Sequence, residues 1–577
     1  SSAAIPGKNI GVKNLPFFAP LVVACCCVAA CSANPGPPPV EDPQEQTSTT
    51  SAPPADSAKN KADVIGIGID PLTRGLNPHL SADDHAFVQA LAALVLPSAF
   101  VQGEMNTDVL TSAEEVEASE SGAVQTLRYQ IRREAQWSDG TPITGADFRY
   151  LWAGMVSTPG AIDPAPYRAI KQIRVSNGGK TVEVDLSERV AQWQVLFNNL
   201  LPSHMFNTGT TFEQALATSI PASAGRYMVR SIDRPRGVVT LARNDRFWGA
   251  HPAATETLQF REVRTPTHGA EMLRSGQISF ADLTPTETSL ESLDLLPYTQ
   301  VRTRDRDSRL ELTMSVNSRI LSDPELRHAL TLLIDVPRVA RLAAGRSTNL
   351  ATADPLEQPS EEERAAARDT VVQAVKTKGP LRLAVDATDQ TASAAAITIA
   401  DLLRAEGIDV ETVMGDMKEI AGTQLPRGDA DAVINWNRVG STPQVMASRY
   451  ACPVVPTTVT ASGTIQAPNS TDDANNAGTL MFSGNLSGLC LPDVQRKVAE
   501  AMAGTAAESD YTPFFEDIEH RERLRIPLMA DRRLDVLGKN IIGPSEDLAQ
   551  WPTGGQAGAF VTAPTWKSTG SIKAEDE

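Results

Sequence analysis

The fold is decided by the stretch WSDGTPITGADF, which runs from Trp137 to Phe148. Its Asp139-Gly140 pair is typical of a tight turn. Thr144 precedes a segment with helical spacing, and Asp147 follows three residues later, so the pair predicts a capping box on the first turn of a helix. We expect Trp137 to pack in the core and the stretch to be structural, without ligand contacts.

Apolar and alternating runs on both sides of this stretch predict strands at Val64–Asp70, Leu127–Ile131 and Thr181–Leu186. Asn177-Gly178-Gly179, just before the third run, is a turn of the kind that joins paired strands. The sequence after it ends like a phosphate-binding loop, but Arg174 stands where the leading glycine of that motif is required. A hairpin is therefore favoured, and antiparallel pairing is expected to dominate this half.

The second half has a different pattern. A strand is predicted at Leu381–Val385, followed by helical spacing over Ala396–Leu403 that Gly407 ends. Further strands are predicted at Ile408–Thr412 and Asp431–Trp436. The order of strand, helix and strand is typical of a mostly parallel sheet.

Composition bounds the size and the class of the protein. With 577 residues and 61.7 kDa the chain is too long for one core, so two or three lobes are expected. A formal net charge of −18 argues against a nucleic-acid partner, which requires a basic face. A hydrophobic content of 41% leaves no room for several membrane spans.

Residues 1–30 have the pattern of a lipoprotein signal peptide: two lysines, an apolar run at Leu15–Ala30 and small residues before a cysteine. The Val-Ala-Ala-Cys run resembles a bacterial lipobox, which makes Cys31 the lipidation site and places the protein on the extracytoplasmic face of the cell membrane. A short membrane anchor is the alternative, and Cys25 offers a second cleavage position. Residues 31–62 are rich in Pro, Ser and Thr, so we expect a flexible linker.

Two cysteines, Cys452 and Cys490, would remain beside Cys31 after cleavage. Two cysteines in an exported domain suggest one disulfide, here across a polar stretch that reads as a long loop. Two unrelated buried thiols are the alternative. Since the sequence holds no C-x-x-C pair, zinc and redox chemistry are unsupported.

The Trp137–Phe148 stretch resembles a signature of family 5 extracellular solute-binding proteins, the peptide- and nickel-binding relatives of ABC importers. The resemblance extends over about Val64–Gly543 and implies an α/β, two-lobed periplasmic-binding-protein-like fold of type II, the dipeptide/oligopeptide-binding class, with an inserted subdomain. Further landmarks follow in the family's order: Leu201-Pro202-Ser203-His204, Gly225-Arg226-Tyr227, Leu241-Ala242-Arg243-Asn244, Leu273-Arg274-Ser275-Gly276, Leu326-Arg327-His328-Ala329-Leu330, Gly407-Ile408-Asp409-Val410, Gly428-Asp429-Ala430-Asp431 and Ile526-Pro527-Leu528.

The same resemblance implies how the chain is divided. The first lobe would combine 63–105, 205–305 and 532–577, and 106–204 would be the inserted subdomain. The second lobe would be 306–531 and would carry the disulfide-closed loop between Cys452 and Cys490. Two such lobes close on a ligand around connecting strands.

The lipobox, the linker and the wording of the motifs further resemble mycobacterial lipoproteins of this family. These are associated with phosphatidylinositol mannoside, lipomannan and lipoarabinomannan synthesis. The resemblance implies a non-catalytic, membrane-anchored monomer that binds a glycolipid intermediate or a biosynthetic partner and regulates this synthesis, with no cofactor. The alternative is the substrate-binding lipoprotein of an ABC importer for oligopeptides, which would have a permease as partner.

Candidate ligand-binding residues follow from the same resemblance. In peptide-binding relatives, the strand equivalent to Asp431–Trp436 leads into the cleft. A tryptophan there is followed by an acid that holds the ligand's amino terminus. Here Trp436 is present but Asn437 and Arg438 follow and the acid is missing. A tryptophan, an amide and a guanidinium would suit a glycolipid head group, whereas a core tryptophan beside a solvated arginine is the plainer alternative. Asp70 and Asn77 are weaker candidates, since each is a common turn or capping residue.

Enzymatic interpretations find no support in the sequence. It contains neither G-x-S-x-G nor H-E-x-x-H, so no catalytic residue is predicted. His79, Asp83, Asp84 and His85 come nearest to a metal cluster, but solvated loop residues explain them better and no metal site is predicted.

Overall fold

The structure, a computed structural model, describes residues 63–118, 122–352, 358–466 and 480–570. The predicted signal peptide, the predicted lipidation site Cys31 and the predicted linker lie outside these residues. Among the described helices, none has the length and apolar character that crossing a bilayer requires.

The strands follow one another along the whole described chain and most belong to one large sheet. In chain order they are β1 (Val64–Ile69), β2 (Phe100–Val101), β3 (Glu104–Met105), β4 (Leu110–Val116), β5 (Gln125–Ile131), β6 (Ile170–Ser176), β7 (Thr181–Leu186), β8 (Tyr227–Asp233), β9 (Val238–Arg243), β10 (Thr257–Glu262), β11 (Phe280–Leu283), β12 (Gln300–Met314), β13 (Leu381–Asp386), β14 (Val410–Gly415), β15 (Ala432–Arg438), β16 (Thr458–Val459), β17 (Ile465–Gln466), β18 (Arg525–Leu537), β19 (Ile541–Ile542) and β20 (Lys567–Ser568).

The helices pack on the faces of the sheets. They are α1 (Ala86–Val95), α2 (Gly145–Ser157), α3 (Ala165–Arg168), α4 (Pro266–Arg274), α5 (Ser289–Asp294), α6 (Pro324–Leu333), α7 (Val336–Ala344), α8 (Glu361–Lys378), α9 (Gln390–Ala405), α10 (Met417–Glu419), α11 (Leu425–Arg427), α12 (Pro443–Tyr450), α13 (Pro492–Ala503) and α14 (Glu508–Glu522). A π-helical turn at Ile420–Gln424 joins α10 to α11.

One ten-stranded mixed sheet organises the molecule, in the order β14-β13-β15-β12-β18-β11-β1-β10-β9-β8. We call the part built on β1 and β8–β11, together with the smaller sheet beside it, the first lobe. The second lobe is built on β13–β15. The molecule therefore has the two-lobed α/β fold that the family resemblance implied, while the numbered lobe boundaries remain a prediction.

Two long strands, β12 and β18, connect the lobes. They pair antiparallel from Gln300 to Thr313, with register shifts at Arg306/Arg309 and Leu310/Glu311. On one side β18 pairs with β11, and on the other β12 pairs with β15. These irregular pairs lie where a hinge between the lobes is expected, since bulges bend and twist a ladder.

The predicted β-α-β order of the second half is confirmed. β13 pairs in parallel with both β14 and β15, and α9 connects β13 to β14. Gly407 follows the helix with φ of 82°, a left-handed conformation that glycine adopts without strain. Ile399, Leu383 and Ile434 are fully buried in the core of this lobe.

Antiparallel pairing dominates the first half as predicted, and β1 is the exception. Both neighbours of β1, β10 and β11, run parallel to it, because long segments of chain return each of them in the same direction. Gly66 in β1 is required by close packing: a Cβ there would lie 1.8 Å from the carbonyl oxygen of Gln277.

The Trp137–Phe148 stretch folds as predicted beside a four-stranded antiparallel sheet, β4-β5-β7-β6. Thr144 and Asp147 form the capping box of α2, and Trp137 is fully buried and donates from Nε1 to Asp147 at 3.2 Å. Asn177–Gly179 connects β6 to β7, so the hairpin interpretation is also confirmed.

Candidate ligand-binding cleft

The larger of two neighbouring cavities has a volume of about 1060 Å³. Its walls come from both lobes: the β2–β3 hairpin, residues 192–199 and the segment around Gln556 on one side, and Arg438, Thr442 and Gln444 at the end of β15 and start of α12 on the other. A pocket of this size can hold a ligand larger than a typical drug molecule.

Neutral hydrogen-bonding groups dominate the polar lining of this cavity. Aromatic surface comes from Phe100, Tyr167, Phe247 and Trp248. The carboxamides in its wall are Gln89, Gln102, Asn106, Gln192, Gln194, Asn198, Asn199, Gln444 and Gln556. Amides both donate and accept hydrogen bonds, so the wall is suited to a ligand rich in hydroxyl groups.

Both arginines of this wall already have carboxylate partners. Arg226 Nη2 lies 3.4 Å from Asp108 Oδ2. Arg438 donates from Nε to Asp84 Oδ2 at 2.7 Å and from Nη2 to Asp84 Oδ1 at 3.0 Å, a bidentate pair. The sequence suggested that the Arg438 guanidinium is available to a glycolipid head group. In the structure it is already paired with Asp84.

Asp84 connects the two lobes electrostatically. Besides Arg438 it binds Arg306 Nη1 at 2.8 Å, and Arg306 in turn binds Asp531 at 2.7 Å. Burial alone would raise the pKa of Asp84, but the two guanidinium groups outweigh burial and hold it below its usual range. Asp84 thus remains charged and joins the segment that precedes α1 in the first lobe to β15 of the second.

Asp163 is the acid of the larger cavity with the most unusual surroundings. Asp163 lines the cavity, as do Ile162 and Tyr167. Among the described residues, its carboxyl group forms no ion pair and no hydrogen bond. Burial raises the pKa of Asp163 to about 6, with Arg438 opposing the rise and Asp84 adding to it. A cationic group on a ligand could pair with this carboxylate.

The smaller cavity, about 290 Å³, contains two of the predicted residues, Trp436 and Asp70. Trp436 is half-buried near the end of β15 and packs against the hydrophobic core of the second lobe. Asp70 follows β1, accepts hydrogen bonds from Thr284 and pairs with Arg533 Nη1 at 2.9 Å. Both residues therefore lie in the cleft, but the Asp70 carboxylate is already engaged.

The other two predicted residues have structural contacts. Asn437 donates to Glu311 Oε2 at 3.0 Å, in a group that Arg449 completes. Asn77 is fully buried, donates to the Phe212 carbonyl at 3.0 Å and lines neither cavity. Its position gives no support to the prediction that it binds ligand.

The histidines and acids at 79–85 face different partners. His79 Nε2 lies 2.8 Å from the Asn199 carbonyl, and Asp83 accepts from the backbone of Gly75 and Asn77. Within the described residues, no three His, Cys, Asp or Glu side chains are grouped so that they could hold a metal ion. Cys452 and Cys490, in contrast, form the expected disulfide.

A buried charge ladder along the connecting strands escaped the sequence analysis. Arg302, Arg304 and Arg306 alternate along β12 and face acids on β11 and β18. Arg304 binds Asp282 at 2.7 Å and Asp535 at 3.0 Å, all three nearly inaccessible to solvent. The alternation of arginines from 302 to 306 was the available signal, but it is also typical of a half-exposed strand.

Comparison with known proteins identifies the family. The model of "Bacterial extracellular solute-binding proteins, family 5 Middle" matches residues 109–452, more than half of the chain. The chain is 27% identical over 585 positions to the Probable monoacyl phosphatidylinositol tetramannoside-binding protein LpqW of Mycobacterium tuberculosis, covering 85% of this chain and 91% of that protein. It is 28% identical over 275 positions to the Oligopeptide-binding protein OppA of Mycobacterium bovis, 45% of each chain.

Solved structures agree on the fold. The oligopeptide-binding protein AppA of Bacillus subtilis, in complex with a nonapeptide, superposes with a TM-score of 0.60 at 13% identity, covering 88% of this chain and 99% of that one. The periplasmic EDTA-binding protein EppA gives a TM-score of 0.59 at 20% identity, covering 88% and 97%. The chain belongs to the bacterial extracellular solute-binding proteins of family 5.

Proposed function

We propose that this protein is a membrane-anchored, non-catalytic binding protein, lipidated at Cys31, whose cleft holds the head group of a phosphatidylinositol mannoside-like glycolipid. In this role it regulates the synthesis of phosphatidylinositol mannosides, lipomannan and lipoarabinomannan. The observation that carries the proposal is the wall of the larger cavity, where nine carboxamides and the rings of four Phe, Tyr and Trp side chains surround about 1060 Å³.

The charges of the cleft support this choice of ligand. Both arginines of the larger cavity are neutralised within the protein, so the wall favours an uncharged, hydroxyl-rich group over a peptide with charged side chains. Flat aromatic faces such as Trp248 are suited to the apolar face of a sugar ring. The similarity to LpqW, whose name describes a tetramannoside-binding protein, points the same way.

The test is mass spectrometry of what co-purifies with a soluble form that begins at Ser32, expressed in an actinobacterial host. The protein is measured in its native state and after solvent extraction. A mannosylated phosphoinositide is the expected ligand. A ladder of short peptides would refute the proposal, and an empty cleft would redirect it to a protein partner in envelope synthesis.

A second candidate function is that of an oligopeptide receptor for an ABC importer. Asp163 favours it, because a carboxylate without a cationic partner could hold a peptide's amino terminus in place of the acid missing after Trp436. The variant Asp163→Asn separates the candidates. It should abolish peptide binding if the amine is held there and leave binding of a mannosylated head group unchanged.

A further inference from the structure

The smaller cavity, beside Trp436, has a wall rich in charged side chains of both signs. Four aspartates also line it: Asp70, Asp84, Asp389 and Asp531. Five arginines from both lobes and the connecting strands contribute to it: Arg74, Arg306, Arg346, Arg532 and Arg533. The question is which of these cations lacks a partner.

Four of the five arginines have carboxylate partners within 3 Å. The pairs are Arg74 with Asp389 at 2.7 Å, Arg306 with Asp531 at 2.7 Å, Arg532 with Asp305 at 2.6 Å and Arg533 with Asp282 at 2.7 Å. Each of these guanidinium groups is therefore compensated inside the protein.

Arg346 is the exception. It is only 7% exposed, yet among the described residues its single hydrogen bond runs from Nε to the Asn349 carbonyl, at 3.4 Å. No carboxylate of the described chain lies within ion-pair distance of it. Burial and the neighbouring Arg532 guanidinium lower the pKa of Arg346, as expected for an uncompensated cation.

The acids whose charges reach Arg346 are engaged elsewhere: Asp531 pairs with Arg306 and Asp70 with Arg533. Glu287, close enough to be affected by the charge of Arg346, accepts hydrogen bonds from the backbone and hydroxyl of Ser347 and from the backbone of Thr348. Arg74 also lines the cavity, but its guanidinium pairs with Asp389 and its Nε is buried without an acceptor. Arg346 is therefore the cation of this wall that the described protein leaves without a carboxylate.

We infer that Arg346 forms an oxyanion subsite of the smaller cavity that takes a phosphate or carboxylate group of the ligand. A guanidinium fork matches either group with paired hydrogen bonds. The half-buried Trp436 offers a flat face beside the anion. This inference rests on the proposed function, and it moves the anion contact from Arg438 to Arg346.

The two cavities share a wall. Arg438 lines the larger cavity and Asp84 the smaller one, and these two side chains are paired with each other. A ligand with an uncharged glycan in the larger cavity would therefore have its anionic group within reach of the smaller one. A glycan linked to a phosphodiester has this distribution of charge, and so does a peptide with a terminal carboxylate.

The first experiment uses inorganic phosphate and thermal unfolding of the full chain. Phosphate should raise the Tm of the wild-type protein and leave that of Arg346→Gln unchanged, while Arg346→Lys keeps part of the rise. Arg341→Gln, an exposed arginine on α7, is the matched control and should respond as wild type. A wild-type Tm that phosphate does not raise, or an equal rise in Arg346→Gln, would overturn the inference.

Isothermal titration then identifies the source of the anion. The probes are the deacylated head group of a phosphatidylinositol mannoside, an uncharged mannotetraose, and a tetrapeptide with either a free or an amidated carboxyl end. Arg346→Gln should weaken the charged ligand of the true class by about 10–100-fold and leave its uncharged counterpart unchanged. If the wild type binds the tetrapeptide and neither mannose probe, the proposed function fails while the subsite stands.

Discussion

At the scale of single residues, the cleft is governed by which charges are already paired. Asp84 pairs with both Arg438 and Arg306, whereas Arg346 and Asp163 form no ion pair among the described residues. A buried ion pair adds little net stability compared with apolar residues, but breaking one leaves a charge that the interior cannot solvate. Removing the Asp84 carboxylate should therefore lower the free energy of unfolding much more than removing an exposed acid would.

Asp84→Asn should lower the free energy of unfolding at pH 7 by about 3 kcal/mol, because Arg438 is left without a carboxylate. The pKa of Asp84 is depressed in the folded protein, so its stabilising contribution is complete above the pKa of the unfolded chain, near 4, and is lost as the pH falls below that value. Urea unfolding between pH 7 and pH 3 should show the difference between variant and wild type shrinking toward acid.

The matched control for Asp84→Asn is Asp305→Asn. Its partner Arg532 is partly solvent-exposed, as is Asp305 itself, so this change should cost less than about 1 kcal/mol. Equal losses of unfolding free energy in the two variants would show that burial does not determine how much the Asp84 ion pairs contribute to stability.

Asp163→Asn, in contrast to Asp84→Asn, should raise the free energy of unfolding. Burial raises the pKa of Asp163 to about 6, so the folded protein holds this proton more tightly than the unfolded chain does. Ionising the carboxyl as the pH rises through 6 therefore costs stability. The variant should be more stable than wild type at pH 8, by on the order of 1 kcal/mol after allowing for water in the cavity, and equal to it at pH 4. Thermal unfolding at the two pH values measures this, and an unchanged Tm at pH 8 would contradict it.

At the scale of elements, the disulfide is the strongest covalent constraint on the second lobe. Cys452 and Cys490 are separated by 38 positions, and closing a loop of that length in the unfolded chain is worth about 4 kcal/mol in the chain-entropy treatment. The double variant Cys452→Ser/Cys490→Ser should lose stability of that order in urea unfolding. Reduction and alkylation of the wild type gives the control, which should match the variant. A variant as stable as the oxidised wild type would refute the estimate.

Elements with local signals were predictable from the sequence. The capping box at Thr144 and Asp147, the Asn177–Gly179 turn and the strand at Leu381–Asp386 each depend on residues within a few positions of one another. The spacing of apolar residues and the identity of turn and capping residues mark such elements directly in the sequence. The direction of β1 was not predictable in this way, because its partners β10 and β11 are far away in the chain.

The chemistry of the cleft was predictable only in part. Trp436, near the end of β15, lines the smaller cavity, but the ion-pair partners of Arg438 and Asp70 are 354 and more than 460 positions away, respectively. Pairs at such separations depend on sheet register, which one sequence does not reveal. Arg346 gave no signal at all, since an arginine after a helix is ordinarily solvated.

At the scale of the whole molecule, two ion pairs join the lobes at the cleft, in addition to β12 and β18 and to contacts such as the ion pair of Lys418 with Glu213. Asp84 with Arg438 and Arg74 with Asp389 both connect the segment between β1 and α1 to the second lobe. Their side chains are nearly buried, so salt screens them weakly. In a binding protein that closes on its ligand, contacts of this kind set the balance between open and closed forms.

The double variant Asp389→Asn/Arg438→Gln should shift this balance toward the open form. Asparagine still caps α9 as Asp389 does, and Asp84 keeps Arg306, so neither change leaves an unpaired buried acid in the cleft. Small-angle X-ray scattering should show a larger radius of gyration, and the Kd of the ligand identified by co-purification should rise about tenfold, equivalent to 1.4 kcal/mol. Arg128→Gln, which removes a partly exposed pair with Glu183 within one sheet, should change neither quantity. Identical scattering from the double variant and the wild type would mean that other contacts between the lobes, and not these two ion pairs, set the balance between open and closed forms.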